Sequence, residues 1–227
     1  LARQMGRVVE VAARSIGVSR VGIWRLRAGG AALDCVCQYD SRHGLVEAGQ
    51  SLDATRYPAY FAALSNNRAL AASDAVNDPR TAELAAAYLL PMRITSLLDA
   101  PIWLDGDLAG VVCHEHIGTA REWRDEDVAF AGSMGDFAAM AMSQARCQRV
   151  EAAHERLERI IEATPDMVAI MAPDGHLIQM NPAGRRLLGL SAQADIGHCR
   201  SRDFLGAETT RLLETEIRPA LLDAGHW

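Results

Sequence analysis

The sequence predicts an α+β chain: an antiparallel sheet with flanking helices, a long connecting helix, and then a second, smaller α+β unit. Three observations carry this. Ile94–Leu104 and Leu108–Ile117 are apolar strand-like runs around Asp105-Gly106, a dipeptide suited to a tight hairpin turn because Gly tolerates positive φ and Asp can bond its own backbone. From Asp125 to about Ala163 there is no Pro, and the glycines are Gly132 and Gly135. After Thr164-Pro165 the composition changes and a second hairpin signal, Pro173-Asp174-Gly175, follows.

In chain order, Met5, Val8, Val9, Ala12, Ala13 and Ile16 recur at helical spacing from about Ala2, and Gly17 is a plausible stop. Val21–Leu26 reads as a strand and Ala32–Tyr39 as its hairpin partner across Gly29-Gly30. Asp40 to Asp53 is polar and is expected to be loop. Tyr57–Leu64 is a short helix with Tyr57, Tyr60, Phe61 and Leu64 on one face, and Ala69–Ala72 a short strand. DAVNDPRT at 74–81 is a loop ending in a helix start, with Asp78 as cap and Pro79 in the first turn, and the helix runs to Leu90 before Pro91.

The helix expected over 125–163 would be about 55–60 Å long at 1.5 Å per residue. Asp125, Glu126 and Asp127 suit its N-terminus, where the helix dipole favours negative charge. Arg124 stands just before it, so the cap is expected at Asp125 or the start is soft. The first half is apolar and small. The second is charged, with Val150, Ala153, Leu157 and Ile160 at 3-4-3 spacing, a short coiled-coil-like seam that needs a partner helix, most simply that of another copy. Beyond it, Met167–Ala172 and His176–Met180 are strands, Asn181 caps a helix through Leu188 with Gly189 as terminator, and short helical pieces are expected at 204–205, 209–213 and 217–222.

The chain has 227 residues, enough for one large or two small domains, with 49% hydrophobic and 23% charged residues. Net charge is −6 and the 23 Lys/Arg positions, all arginine, are scattered, so no basic stripe suggests nucleic acid. No apolar run approaches the ~18–20 residues that span a bilayer. Cys35, Cys37, Cys113, Cys147 and Cys199 form no regular framework and read as reduced cytosolic thiols. The chain starts at Leu1 and is read as a fragment.

Residues from about Val8 to Cys147 resemble a GAF domain, carried by the first hairpin, YPAYFAAL, DAVNDPRT, ITSLLDAPI, DGD and GVVCHEHIGTAREW in that order. Residues from about Leu157 resemble the first half of a PAS domain, carried by ATPDMVAIMAPDGHLIQMNPAGRRLLG. A complete PAS fold would need about three more strands after Trp227, so the half-domain is expected to be poorly ordered or completed by another copy. The domains expected are a GAF-like sensory domain at 1–147, a signalling and dimerisation helix at 125–163, and a PAS-like half at 164–227. The resemblance implies a cytoplasmic regulatory fragment without catalysis of its own. Its parent would be a bacterial sensor histidine kinase or a cyclic-di-GMP cyclase or phosphodiesterase, with the output domain further along the parent chain. The partner expected is a second copy, with no nucleic acid and no membrane contact by this segment.

GAF domains often bind a small molecule between the sheet and its covering loops, here Leu45 to Leu90. Trp24, Tyr57, Tyr60, Phe61 and Tyr88 could line such a pocket, weighed against an ordinary filled core. No cofactor is expected. In the bilin-binding relatives a Cys-His pair lies just before the strand matching Ile94–Leu104; here that region reads AELAAAYLLPMR, and Cys113-His114 lies in the following strand, so covalent bilin is not expected. The Asn-Lys…Asp-Glu pattern of cyclic-nucleotide-binding relatives is also missing. His114 and His116 share one strand face, about 7 Å apart, too few ligands for a metal unless Asp99 joins them. A two-residue turn would set Asp99 diagonally near His114; a three-residue turn would put it on the other face. Cys35 and Cys37 likewise fall on one strand face and read as ordinary strand cysteines. A GAF-type sulfoxide reductase, which needs a reactive Cys pair facing a cleft, is the enzymatic rival. A ligand-free dimerisation spacer is the other rival.

Overall fold

The computed structural model describes residues 2–46, 49–224 and 226. Contacts divide the chain into two compact units, Leu1–Gln148 and Arg149–Trp227.

The first unit is built on a seven-stranded antiparallel sheet. Helix α1 (Ala2–Ile16) leads into β1 (Arg20–Leu26) and β2 (Ala32–Asp40). Short strands β3 (Gly44–Val46) and β4 (Ser51–Asp53) both pair with β2, so the loop expected at 40–53 is in large part sheet edge. Helix α2 (Pro58–Asn66) and β5 (Leu70–Ala72) follow, then the long hairpin β6 (Ile94–Leu104) and β7 (Asp107–Ile117). The order across the sheet is β3-β2-β1-β7-β6-β5, with β4 beside β2. Each face buries its own core. One, with Trp24, Leu33, Tyr60, Leu64, Leu97 and Val111, lies under α2 and the segment leading to β6. The other, with Val9, Val21, Ile23, Leu98 and Ile102, lies under α1 and α4 (Asp125–Ala163).

The expected single helix from Pro79 to Leu90 is replaced by a 3-10 turn at Ala82–Leu84, a π-helical turn at Ala85–Leu89 and a short helix α3 (Leu90–Met92). Pro79 lies in the preceding turn, and Asp78 bonds the Arg80 N–H and guanidinium rather than capping a helix. Pro91 sits inside α3, and the chain turns at Arg93, whose φ is 60°. Tertiary demand overrides local preference here, because Leu84, Tyr88 and Leu89 all reach the core.

Two β-bulges decide which side chains face which core. The β6–β7 turn has two residues, Asp105 and Gly106, the shorter of the two lengths weighed from the sequence, with Leu104 opposite Asp107. Ile102 pairs with Gly110 and Trp103 with Leu108, however, so Ala109 is extra and the register moves by one. Asp99 is therefore opposite Cys113 and shares its face, while His114 points to the other core. The diagonal Asp99–His114 approach that a two-residue turn would give without the bulge does not occur. At Gly110 the backbones come so close that a Cβ would stand 2.1 Å from the Trp24 carbonyl. On β2, Ile23 pairs with Cys37 but Trp24 with Cys35, so Val36 is extra. Cys35 and Cys37 consequently lie in opposite cores, against the expectation of one face.

Helix α4 spans the expected 39 residues, Asp125–Ala163. Its start is fixed by Asp127, whose carboxylate accepts the Arg124 N–H and pairs with Arg121; Asp125 is not the cap. Residue Asp127 thus plays the reciprocal half of a capping box. Val150, Ala153, Leu157 and Ile160 are all exposed.

In the second unit β8 (Ala169–Met171) pairs with β9 (Leu177–Met180), a shorter hairpin than expected, and α5 (Pro182–Leu187) follows. Asn181 caps α5 as expected: its Oδ1 accepts the N–H of Gly184 at 2.9 Å and of Val168 at 3.0 Å, and its Nδ2 donates to Ile161 and Asp166 carbonyls. A 3-10 turn at Ser201–Asp203 stands in place of the helical piece expected at 204–205. Helices α6 (Ala207–Leu212) and α7 (Arg218–Ala224) flank a π-helical turn at Leu213–Ile217. Ile170, Met171 and Ile178 on this hairpin are exposed. No helix among the described residues is long and apolar enough to cross a membrane.

Candidate functional site

The site lies between the sheet of the first unit and its cover. Residues in register across neighbouring strands form two rows. Gln38, Gly22, Cys113 and Asp99 stand side by side in β2, β1, β7 and β6; two residues along the strands, Asp40, Arg20, Glu115 and Leu97 do the same. The cover supplies a tyrosine to each row. Tyr60 from α2 donates its O–H to Asp99 Oδ2 at 2.5 Å, and Tyr88 from the π-helical turn donates to Glu115 Oε1 at 2.5 Å. Helix α2 is itself held by a distant residue: Glu83 accepts the Ala59 N–H at 2.9 Å, taking the place of a local cap.

Behind Glu115 a chain of charges leads to the surface. Arg20 Nε lies 3.3 Å from Glu115 Oε2 and 3.4 Å from Asp40 Oδ2, and Arg42 closes on Asp40 at 2.8 Å. Burial pushes Asp40 up, but Arg42 hydrogen bonds and charge win and hold it down at about 2. Burial pushes Glu115 up, with the Arg20 charge pulling against it. Among the described residues no cation pairs with Asp99. Burial raises its carboxyl to about 7 despite the Tyr60 hydrogen bond and looser approaches of the Cys113 thiol and the His114 N–H, and its Oδ1 makes no well-formed hydrogen bond. Trp24 Nε1 is also buried without a partner. It lies over Gly22, where a Cβ would be 3.0 Å away. Buried polar groups are nearly always bonded, so two orphans on residues that line one space point to a water or a ligand there.

That space is lined by Trp24, Leu52, Tyr60, Tyr88, Asp99 and Glu115, together with Leu84, Leu97 and Cys113. It amounts to about 10 Å³, one water's worth. Of the residues expected from the sequence, Trp24, Tyr60, Tyr88 and Asp99 therefore converge. Tyr57 packs in the same core and Phe61 at its margin, neither on the cavity. His114 belongs to the opposite face. Its Nδ1–H donates to the Leu98 carbonyl at 2.9 Å, its ring meets Phe130 of α4 edge-on, and burial lowers it to about 4, so it is neutral. His116 is near the surface end of β7, and burial lowers it as well. Among the described residues no three metal-ligating groups gather. Glu115, Arg20 and Cys113 were missed. The available signal was Glu115 itself, a carboxylate two residues beyond Cys113 and on the same strand face, between His114 and His116.

On the other side, the segment leading to α4 ties several elements together. Arg121 donates to the Gly17 carbonyl at the end of α1, pairs with Asp127 and lies 4.9 Å over the Trp123 ring; its N–H bonds Ser96 Oγ.

An antiparallel sheet with a helical cover on one face, a small, mostly apolar cavity holding two carboxyls, and a long helix leaving from the other face defines a GAF-type sensory domain. The chain belongs to the GAF domain family, which it matches over residues 2–142, and a PAS domain follows at 155–220. Solved structures share the fold. The Thermosynechococcus elongatus PixJ GAF domain in its blue-light-absorbing form is 15% identical with a TM-score of 0.53, over 65% of this chain and 88% of that one. A phycocyanobilin-bound GAF domain from a cyanobacterial phytochrome is 18% identical with a TM-score of 0.50, over 62% and 82%. A domain provisionally named as a two-component sensor histidine kinase protein, from Sinorhizobium meliloti, is 11% identical with a TM-score of 0.51, over 67% and 97%. No curated protein matches the sequence.

Proposed function

We propose that this chain is the sensory part of a bacterial signal-transduction protein, and that its GAF cavity takes a small, non-covalent ligand. The observation that carries this is the pair of orphaned buried groups, Asp99 Oδ1 and Trp24 Nε1, in a space closed by two cover tyrosines. A ligand that bonds both orphans binds the shifted cover better than the closed one, and only such a difference can transmit a signal. The relay we infer passes through the shared sheet to α1 and α4, with Arg121 joining their ends. It continues along α4 of a dimer, through Val150, Ala153, Leu157 and Ile160, to an output domain of the histidine kinase or cyclic-di-GMP type. A cytoplasmic location belongs to the same proposal and suits the free cysteines. Covalent bilin is no part of it: Cys113, the thiol on the cavity, is fully buried and burial pushes it well above the usual range, away from the reactive thiolate.

One observation favours a second reading. The closed cavity holds about one water, which suits a ligand-free dimerisation and spacer module. Thermal-shift screening of the chain against metabolites, with and without Leu157→Asp, separates the two. A saturable shift that Asp99→Asn removes supports the sensor; no shift from any metabolite, combined with loss of the dimer in Leu157→Asp, supports the spacer.

A further inference from the structure

The cavity is asymmetric in charge. Two carboxylates and three aromatic rings line it, and among the described residues no basic side chain does. Glu115 has a counter-ion in Arg20, which it shares with Asp40. Asp99 has none, and its Oδ1 is the acceptor left over. Among the residues that line the cavity, the donor left over is Trp24 Nε1, which sits above Gly22; Arg20 Nη1, behind Glu115, is a second buried donor without a partner. Gly22, Cys113 and Asp99 are neighbours in three adjacent strands, so the two orphans flank Cys113 and lie within roughly 10 Å of one another, two strand spacings. One end of the space asks for a positively charged donor, the other for an oxygen acceptor.

We propose that the cavity receives a small protonated amine bearing an oxygen acceptor, of the amino-alcohol class, with its ammonium on Asp99 Oδ1 and its oxygen on the Trp24 N–H. This rests on the sensory reading above and adds the chemistry of the ligand. The faces of Trp24, Tyr60 and Tyr88 favour a cation over a neutral group of the same size. A neutral molecule would leave Asp99 without a counter-ion, and an anion would add a third negative charge beside Asp99 and Glu115. The amine is larger than one water, so it enters only as the cover shifts. The cover over 82–92 is a 3-10 turn, a π-helical turn and a short α-helix in succession, a construction common at functional sites. The Tyr88–Glu115 hydrogen bond fastens it to the sheet.

The test uses three molecules of nearly equal size on the whole chain at pH 8 and constant ionic strength: ethanolamine, ethylene glycol and glycolate. Calorimetric titration and thermal shift are expected to show saturable binding of ethanolamine and none of the other two. Asp99→Asn is expected to abolish it. Trp24→Phe keeps the aromatic wall and removes only the N–H, and is expected to weaken binding roughly fivefold, one hydrogen bond's worth. Binding of ethylene glycol or glycolate as strong as that of ethanolamine overturns the charge assignment, as does ethanolamine binding that neither variant alters. Silence toward ethanolamine, with a metabolite from the screen binding in an Asp99-dependent way, overturns this inference and leaves the sensory reading standing. Silence toward ethanolamine and every metabolite overturns both.

Discussion

Asp99 and His114 face opposite cores of one sheet, and their titrations work against each other. A buried carboxyl raised to about 7 stabilises the fold below its usual value near 4, and that contribution is lost as pH rises from about 4 to 7. A histidine lowered to about 4 contributes above its usual 6.5, and that is lost as pH falls from 6.5 to 4. Over this shared range the two arms offset, so the melting temperature of the parent is expected to be nearly flat. Asp99→Asn should expose the histidine arm, with melting falling on acidification. His114→Asn should expose the carboxyl arm, with melting falling as pH rises. Each single-proton arm has a limiting slope of about 1.4 kcal/mol per pH unit. Glu115, raised by burial, and His116, lowered by it, add one arm of each sign and leave this balance in place, whereas Asp40, at about 2, acts only at lower pH. Identical pH profiles in all three proteins would refute the burial assigned to both groups.

At the scale of elements, α4 meets the sheet at small residues. A Cβ on Gly135 would stand 3.0 Å from the Pro101 carbonyl, whereas one on Gly132 would meet nothing within 4 Å. Alanine in place of a mid-helix glycine gains up to about 1 kcal/mol from propensity alone. Gly132→Ala is therefore expected to stabilise the domain by about 0.5–1 kcal/mol. At Gly135 the gain meets a rigid backbone, and overpacking of that kind costs about 1–3 kcal/mol, so Gly135→Ala should be a net loss. Urea melts of the two variants decide it, and an equal gain in both would show that α4 does not lie on β6 at this point. Sequence showed both glycines inside one long helix but could not tell them apart, because only the crossing with Pro101 distinguishes them. Glu83 shows the same limit: no local pattern announces a cap for a helix that starts 25 residues earlier, at Pro58.

For the whole molecule, the exposed seam is the decisive feature. Val150, Leu157 and Ile160 are 64%, 59% and 57% exposed, at a spacing that a second helix would cover. In the dimer we propose, Leu157→Asp should shift the sedimentation coefficient to the monomer value at micromolar concentration. Melting of the GAF unit should stay within about 0.5 kcal/mol, as expected for an exposed substitution. A parent that already sediments as a monomer would refute the dimeric relay.

The sequence by itself determined most of the element order, a tight turn at Asp105-Gly106, the span of α4, the Asn181 cap and the succession of a GAF and a PAS domain. Each is written in local spacing, turn chemistry or a contiguous pattern. Only the tertiary structure decided what the cavity contains. Two single-residue bulges, at Ala109 and Val36, reverse the facing of everything beyond them, because side chains alternate with a period of two. They take Asp99 away from His114 and give it to Tyr60 and Cys113, and they part Cys35 from Cys37. The strand pairs that place these bulges join residues far apart in the chain, and no local window records them.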